Sequence, residues 1–215
     1  MTYEDFKKEV LKIAGINLDY YKEKQMKRRI DSLIRKNRFA GYYDYICALK
    51  ENKALYNEFI NYLTINVSEF YRNPEQWEVL KDDIFPQLTG KKNNLKIWST
   101  ACSTGEEPYT LAMILSKFML LNNIKATIRI IATDIDKDAV EKAKKGIYIY
   151  KSIEKLPKEY VDKYFLKTGE YYKIKDDLKE CIEFGCLDLL GDPYPQNCDM
   201  IVCRNVLIYF TEEAK

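Results

Sequence analysis

The chain has 215 residues, 47% of them hydrophobic and 32% charged, with a formal net charge of +2 and no histidine. That much apolar material supports one sizeable core or a small domain beside a larger one, and no run approaches the roughly 18–20 apolar residues of a membrane span. Without histidine there is no Ser-His-Asp or Cys-His nucleophile system, no imidazole base near neutral pH and no His-ligated metal. Chemistry must rest on carboxylates, Tyr, Lys, Arg, thiols or a cofactor. The start, MTYEDFKKEV, lacks the apolar segment of a signal peptide, and a soluble cytoplasmic protein is the expectation. Cys47, Cys102, Cys181, Cys186, Cys198 and Cys203 form no C-x-x-C pair, so reduced thiols are expected rather than disulfides or a metal site.

In chain order, YEDFKKEVLKIAG places Phe6, Val10, Leu11 and Ile13 near one helical face and stops at Gly15. The basic stretch over residues 20–38 groups Lys24, Lys27, Arg28, Arg35 and Lys36 around an apolar stripe of Met26, Ile30, Leu33 and Ile34, with Arg29 in the same run. A solvated helix face and a docking face both fit. Phosphates also favour such stripes, but the small net charge and the lack of an aromatic stacking platform argue against nucleic acid. LYNEFINYLTIN sets Leu55, Phe59, Ile60 and Leu63 at helical spacing, and in NPEQWEVLKDDIFPQL Asn73 is a candidate cap with Pro74 at the first helical position. An all-helical N-terminal domain over residues 1–90 is predicted.

From residue 91 to 215 strands alternate with helices, which predicts a parallel α/β sheet. LKIWST and TIRIIATDID read as strands, PYTLAMILSKFMLL and DKDAVEKAKKGI as helices, and Met200–Cys203 as another buried strand. A small β excursion, a helix followed by a hairpin, is predicted over about residues 150–184.

In an open α/β sheet, ligands sit beyond the carboxyl ends of the strands. Two such ends are marked, by Ala101-Cys102-Ser103-Thr104-Gly105 after the first strand and by Asp134 after the second. An acid at the second position is placed to accept hydrogen bonds from ribose hydroxyls, which suits both NAD and S-adenosylmethionine. Glu106 and Glu107 discriminate between them. A helix N-terminus attracts pyrophosphate through free N–H groups and the positive dipole end, and two carboxylates there oppose it. They suit a ligand with an α-ammonium, a sulfonium and no phosphate. Acids in a first helical turn also stabilise the dipole with no ligand at all; Asp134 in the matching place favours the cofactor.

Four stretches in order, NVSEFYRN (66–73), IWSTACSTGEEPYTLAM (97–113), ATDIDKDAVEKAKKGIY (132–148) and CDMIVCRNVLIYF (198–210), make the chain similar to the CheR family. These are S-adenosylmethionine-dependent methyltransferases that esterify glutamates on bacterial chemotaxis receptors. The resemblance spans essentially the whole chain. It implies a class I, Rossmann-like methyltransferase sheet with an all-helical N-terminal domain. Family members continue past the position of Lys215 with a helix and a final antiparallel strand pair, so the C-terminal part of the sheet is expected to be missing here.

Position by position, the resemblance implies that Asn66, Ser68 and Arg72 reach the cofactor, with Arg72 suited to its carboxylate. Ala101 lies in the loop, Glu107 meets the ammonium, Asp134 the ribose, and Asp188 and Leu189 flank the adenine. Asn205 and Val206 follow the last strand, and Tyr209 lies close to the transferring methyl, which makes Tyr209 and Arg72 the catalytic candidates. Singly, each has a plainer reading as turn, cap, surface or core residue. Ala101 stands where many relatives carry glycine, which is tolerable if its backbone stays at negative φ.

The resemblance also implies a partner, the cytoplasmic helical bundle of a methyl-accepting chemotaxis receptor, docked by Lys24, Lys27, Arg28, Arg29 and Arg35. A monomer that meets the membrane only through the receptor is expected. The short turn in LKTGEYYKIK points to the tether-independent, Bacillus-like type. The product would be S-adenosylhomocysteine. A glutamate carboxylate is already ionised near pH 7, so the missing histidine costs such a reaction nothing. A non-catalytic receptor-binding module that keeps the pocket, and a nucleotide-binding oxidoreductase, stay open as alternatives.

Overall fold

The computed structural model describes residues 1–64, 66–90 and 92–215. It divides into two compact units, Met1–Asn66 with Asn205–Lys215, and Val67–Arg204.

The first unit is helical: α1 (Tyr3–Ala14), α2 (Glu23–Lys36), α3 (Tyr42–Glu51) and α4 (Lys53–Leu63). Local chemistry sets the ends. Thr2 and Asp5 form a reciprocal capping box at the head of α1, Gly15 stops it at φ 71°, and the Asn52 side chain caps α4 through Ala54 and Leu55 N–H. The core of the unit is aromatic, with Phe6 and Phe59 edge to face at 6.1 Å and Tyr45 edge to face on Phe59 at 5.9 Å. Helix α2 buries Met26, Ile30, Leu33 and Ile34, the stripe read from spacing. Leu11, expected on the buried face of α1, is exposed instead; Tyr3 joins Phe6 and Val10 inside. The chain's last residues dock on the same unit. Tyr21 and Phe210 form an antiparallel bridge, the Lys22 N–H donates to the Tyr209 carbonyl at 2.9 Å, and the Thr211 N–H to Tyr20 at 2.9 Å.

The second unit opens with α5 (Pro74–Val79), a π-helical turn (Leu80–Ile84) and α6 (Phe85–Thr89). It continues through β1 (Asn94–Ser99), α7 (Glu106–Leu121), β2 (Thr127–Asp134) and α8 (Lys137–Lys145). Next come β3 (Ile147–Ile149), α9 (Tyr150–Ile153), α10 (Lys158–Tyr164), β4 (Phe165–Thr168) and β5 (Tyr171–Ile174). It closes with α11 (Asp176–Lys179), β6 (Ile182–Cys186) and β7 (Met200–Val202). Four parallel strands lie in the order β6-β2-β1-β7, and β3-β5-β4 form a separate antiparallel sheet; the excursion expected over about residues 150–184 thus begins earlier, at β3, and ends before β6, which joins the parallel sheet. Helix α7 is buried on nearly every side from Pro108 to Leu115, which explains an apolar run without amphipathic spacing.

The division falls between residues 66 and 67 rather than near residue 90. Phe70, Trp77 and Phe85 are fully buried in the same core as Ile97, Leu111, Leu115 and Ile130. Helical periodicity locates α5 and α6 but does not say which core their aromatic residues enter. Asn73 does occupy the N-cap position of α5, but at φ 57° and without a side-chain cap bond, and Pro74 takes the first helical turn.

Candidate functional site

Because their pairings are parallel, β1, β2, β6 and β7 all open at the same end of the sheet, and the connections leaving them converge there. The connection after β1 is tied down on three sides. The Thr100 N–H donates to the Val202 carbonyl at 2.9 Å, the Cys102 N–H to the Thr133 carbonyl at 2.8 Å, and the Ser103 N–H to the Asp134 carboxylate at 2.7 Å. The Tyr148 hydroxyl donates to the Thr104 carbonyl at 2.7 Å.

These ties impose a left-handed backbone at Ala101 (φ 45°), Ser103 (φ 49°) and Gly105 (φ 96°). Ala101 therefore does not keep the negative φ expected of it. The neighbouring hydrogen bonds fix the path, and alanine carries a left-handed cost of about 1–2 kcal/mol. Ala101→Gly removes that cost but loosens the unfolded chain by about 0.4–1 kcal/mol. The variant is expected to melt at or up to about 4 °C above the parent, as read by calorimetric melting; a lower melting temperature would count against strain at this position.

Gly105 opens α7, and the two glutamates after it have different surroundings. The Glu106 carboxylate turns back and accepts from the Thr104 hydroxyl at 2.8 and 2.7 Å, with Ser68 as a further hydrogen-bond partner. Burial pushes its pKa up against those bonds. Glu107 accepts from the Ser99 hydroxyl at 3.0 Å and pairs with Arg204 Nη1 at 3.4 Å. Burial raises its pKa as well, and Arg204, Ser99 and the charge of Arg72 counter that rise only in part. Arg72 itself donates to the Val67 carbonyl at 3.3 Å. A mostly buried carboxylate with one long ion pair is poised for a cationic ligand group and hostile to phosphate.

Asp134, at the end of β2, uses one oxygen on the Ser103 N–H and the other on the Asp136 N–H at 3.0 Å. It is nearly buried, and burial raises its pKa. The Leu187 N–H donates to the Asp134 carbonyl at 3.0 Å, which brings the turn carrying Asp188 and Leu189 beside the end of β2. In that turn Asp188 accepts from the Leu190 N–H at 2.9 Å and Tyr194 donates to the Leu189 carbonyl at 2.5 Å. Ser68, Arg72, Ala101, Glu107, Asp134, Asp188 and Leu189 thus all belong to the α/β unit.

The other candidates belong to the helical unit. Asn66 donates to the Thr64 hydroxyl at 3.1 Å, and Asn205, at φ 59°, is exposed ahead of Val206. Tyr209 closes a short 3-10 turn and lines a cavity of about 200 Å³ with Lys22, Gln25, Met26, Arg28 and Arg29. Lys24, Lys27, Arg28 and Arg35 are exposed on α2. Arg29 differs from them. It donates to the Tyr62 carbonyl and stacks on the Tyr62 ring at 4.5 Å, so much of it serves the unit's own packing.

Two family descriptions match the chain: "CheR methyltransferase, all-alpha domain" over residues 1–64 and "CheR methyltransferase, SAM binding domain" over residues 66–215. The chain belongs to the CheR methyltransferase family. It is 39% identical over 214 residues to a chemotaxis protein methyltransferase of Listeria innocua, covering 99% of this chain and 80% of that protein. Corresponding proteins of Borreliella burgdorferi and Escherichia coli are 34% and 31% identical, each over 94% of this chain and 75% and 71% of theirs.

S-adenosylmethionine is the cofactor of this CheR chain, and the residues at the open end of the sheet fit it. They offer a mostly buried acid, Glu107, whose charge suits an ammonium, and a second acid, Asp134, at the end of β2, while two carboxylates at the head of α7 oppose phosphate. One residue in contact with these candidates escaped the sequence reading. Arg204 follows β7 and donates to the Arg72 carbonyl at 2.7 Å, Gln76 at 2.8 Å and Asn73 at 3.3 Å, besides pairing with Glu107. An arginine directly after a buried strand was its only signal.

Proposed function

We propose that this chain methylates glutamate side chains of chemotaxis receptors, giving glutamyl methyl esters and S-adenosylhomocysteine in chemotactic adaptation. The carrying observation is Glu107, a buried acid at the head of α7 in a chain without histidine. The cofactor supplies a methyl group already activated on sulfonium. That methyl would pass to a receptor glutamate oxygen with the carbon–sulfur bond as the one broken, and an already ionised carboxylate would need no proton removed. Catalysis is then orientation and desolvation of the incoming carboxylate. Glu107 holds the ammonium, Arg72 the cofactor carboxylate and Asp134 the ribose, while Asp188 and Leu189 flank the adenine. Tyr209 and the α2 arginines beside it orient the substrate carboxylate.

On this reading the basic face of α2 meets the acidic helical bundle of a receptor. The relatives' description as chemotaxis protein methyltransferases and the exposure of Lys24, Arg28 and Arg35 support it. The experiment is labelled methyl transfer from S-adenosylmethionine to a receptor bundle fragment. Base-labile label is expected, lost when the fragment's glutamates become glutamines. Reversing the charge at Arg28 and Arg35 together should cut transfer about tenfold or more at low salt, with S-adenosylhomocysteine affinity kept. Binding of S-adenosylhomocysteine without any transfer would indicate a regulatory module, and binding of NAD alone an oxidoreductase.

A further inference from the structure

Arg204 meets Arg72, Asn73, Gln76, Trp77 and Glu107 at the open end of the sheet. Its guanidinium lies 4.8 Å from the Trp77 ring and its fork spans three surfaces. It reaches the Arg72 carbonyl and the Asn73 side chain on the segment before α5, Gln76 on α5, and Glu107 on α7. The side chains of Arg204 and Glu107 are each only 16% exposed, so little water screens the pair.

The contacts are unequal in a telling way. The bonds to Arg72 and Gln76 are short and well formed, at 2.7 and 2.8 Å, whereas the contact to Glu107 is long at 3.4 Å. A guanidinium can hold the first set while a second cation approaches Glu107, because its five donors sit in a rigid fork. We infer that Arg204 is a positioning residue that holds the Arg72–Gln76 turn in place and acts as the resident counter-ion of Glu107 until the ligand's ammonium takes its place.

The inference rests on the cofactor reading above, and two ligands separate the two. S-adenosylhomocysteine carries the ammonium; 5′-methylthioadenosine keeps the nucleoside and lacks the amino-acid part. Calorimetry with both ligands on Arg204→Met, checked for cooperative melting, should show S-adenosylhomocysteine weakened about tenfold. Methylthioadenosine should change by less than about twofold. Arg204→Lys restores a cation without the fork, and should recover most of the S-adenosylhomocysteine affinity while melting below the parent. If Arg204→Met does not fold, Arg204→Gln takes its place with the same expectation.

Equal weakening of both ligands would leave Arg204 a merely structural role and overturn the inference, as would unchanged binding of both. A parent protein that binds neither ligand overturns the cofactor reading and the inference with it.

Discussion

Glutamine in place of Glu107 is expected to make the ligand-free protein more stable at neutral pH while removing most of its affinity for S-adenosylhomocysteine. Burial raises the folded pKa of Glu107 above its ordinary value. The folded state therefore binds the proton more tightly than the unfolded state. Between the unfolded and folded pKa values stability falls as pH rises, and above the folded value the full cost of burying the charge remains. Glutamine has no such cost. The melting difference between variant and parent should be near zero at about pH 4 and below, grow as pH rises through the raised carboxyl range, and then level off. Arg204 is not stranded by the change, because it keeps Arg72, Asn73 and Gln76. Loss of one member of a buried charge pair costs about 3–5 kcal/mol, so ligand affinity should drop on the order of 100-fold or more. Calorimetric titration and melting across pH check both halves. A variant that binds like the parent would remove Glu107 from the cofactor site.

Gly105→Ala is expected to be the most damaging small substitution in the chain. Gly105 has φ 96°, and an added Cβ would lie 2.9 Å from the Ala143 Cβ, 3.0 Å from the Tyr148 hydroxyl and 3.1 Å from the Tyr109 ring. Those neighbours are themselves held. Tyr109 donates to the Ala143 carbonyl at 2.8 Å and Tyr148 to the Thr104 carbonyl at 2.7 Å. Left-handed strain and overpacking together should cost about 3 kcal/mol or more, a fall of roughly 6–12 °C in melting temperature for a chain of this size. S-adenosylhomocysteine affinity should fall as well, since the head of α7 must shift. Gly169 is the control. Its φ of 62° is also left-handed but nothing lies within 4 Å, so Gly169→Ala should cost only about 1 kcal/mol. Equal effects at the two glycines would mean that backbone strain alone, and not crowding at the loop, sets the cost.

The two variants bear on one design. The open end of the sheet stores cost in three buried carboxyls, Glu106, Glu107 and Asp134, each raised by burial, and in a left-handed path through residues 101, 103 and 105. Features of this kind persist where the surrounding structure over-determines them, and they mark functional sites. The ligand would offset part of that cost by bringing an ammonium to Glu107. The protein should accordingly gain stability on binding by more than an acid-free loop would permit.

What could be read from the sequence was whatever depends on neighbours in the chain. The stripe of Met26, Ile30, Leu33 and Ile34, the stop at Gly15 and the parallel sheet with its excursion follow from periodicity and turn chemistry acting over a few residues. So does the acid-bearing loop between β1 and α7, because one turn of chain contains both the helix start and the carboxylates that oppose phosphate. The tertiary structure alone decided which core receives Phe70, Trp77 and Phe85, since an apolar helix face is the same whichever surface it meets. It alone set Ala101 to positive φ, through hydrogen bonds to Val202, Thr133 and Asp134 from other strands. It alone joined Arg204 to Glu107, Arg72 and Gln76, which lie 97 to 132 residues away. Local preference acts over a few bonds, whereas a buried charge finds its partner only after distant strands have paired.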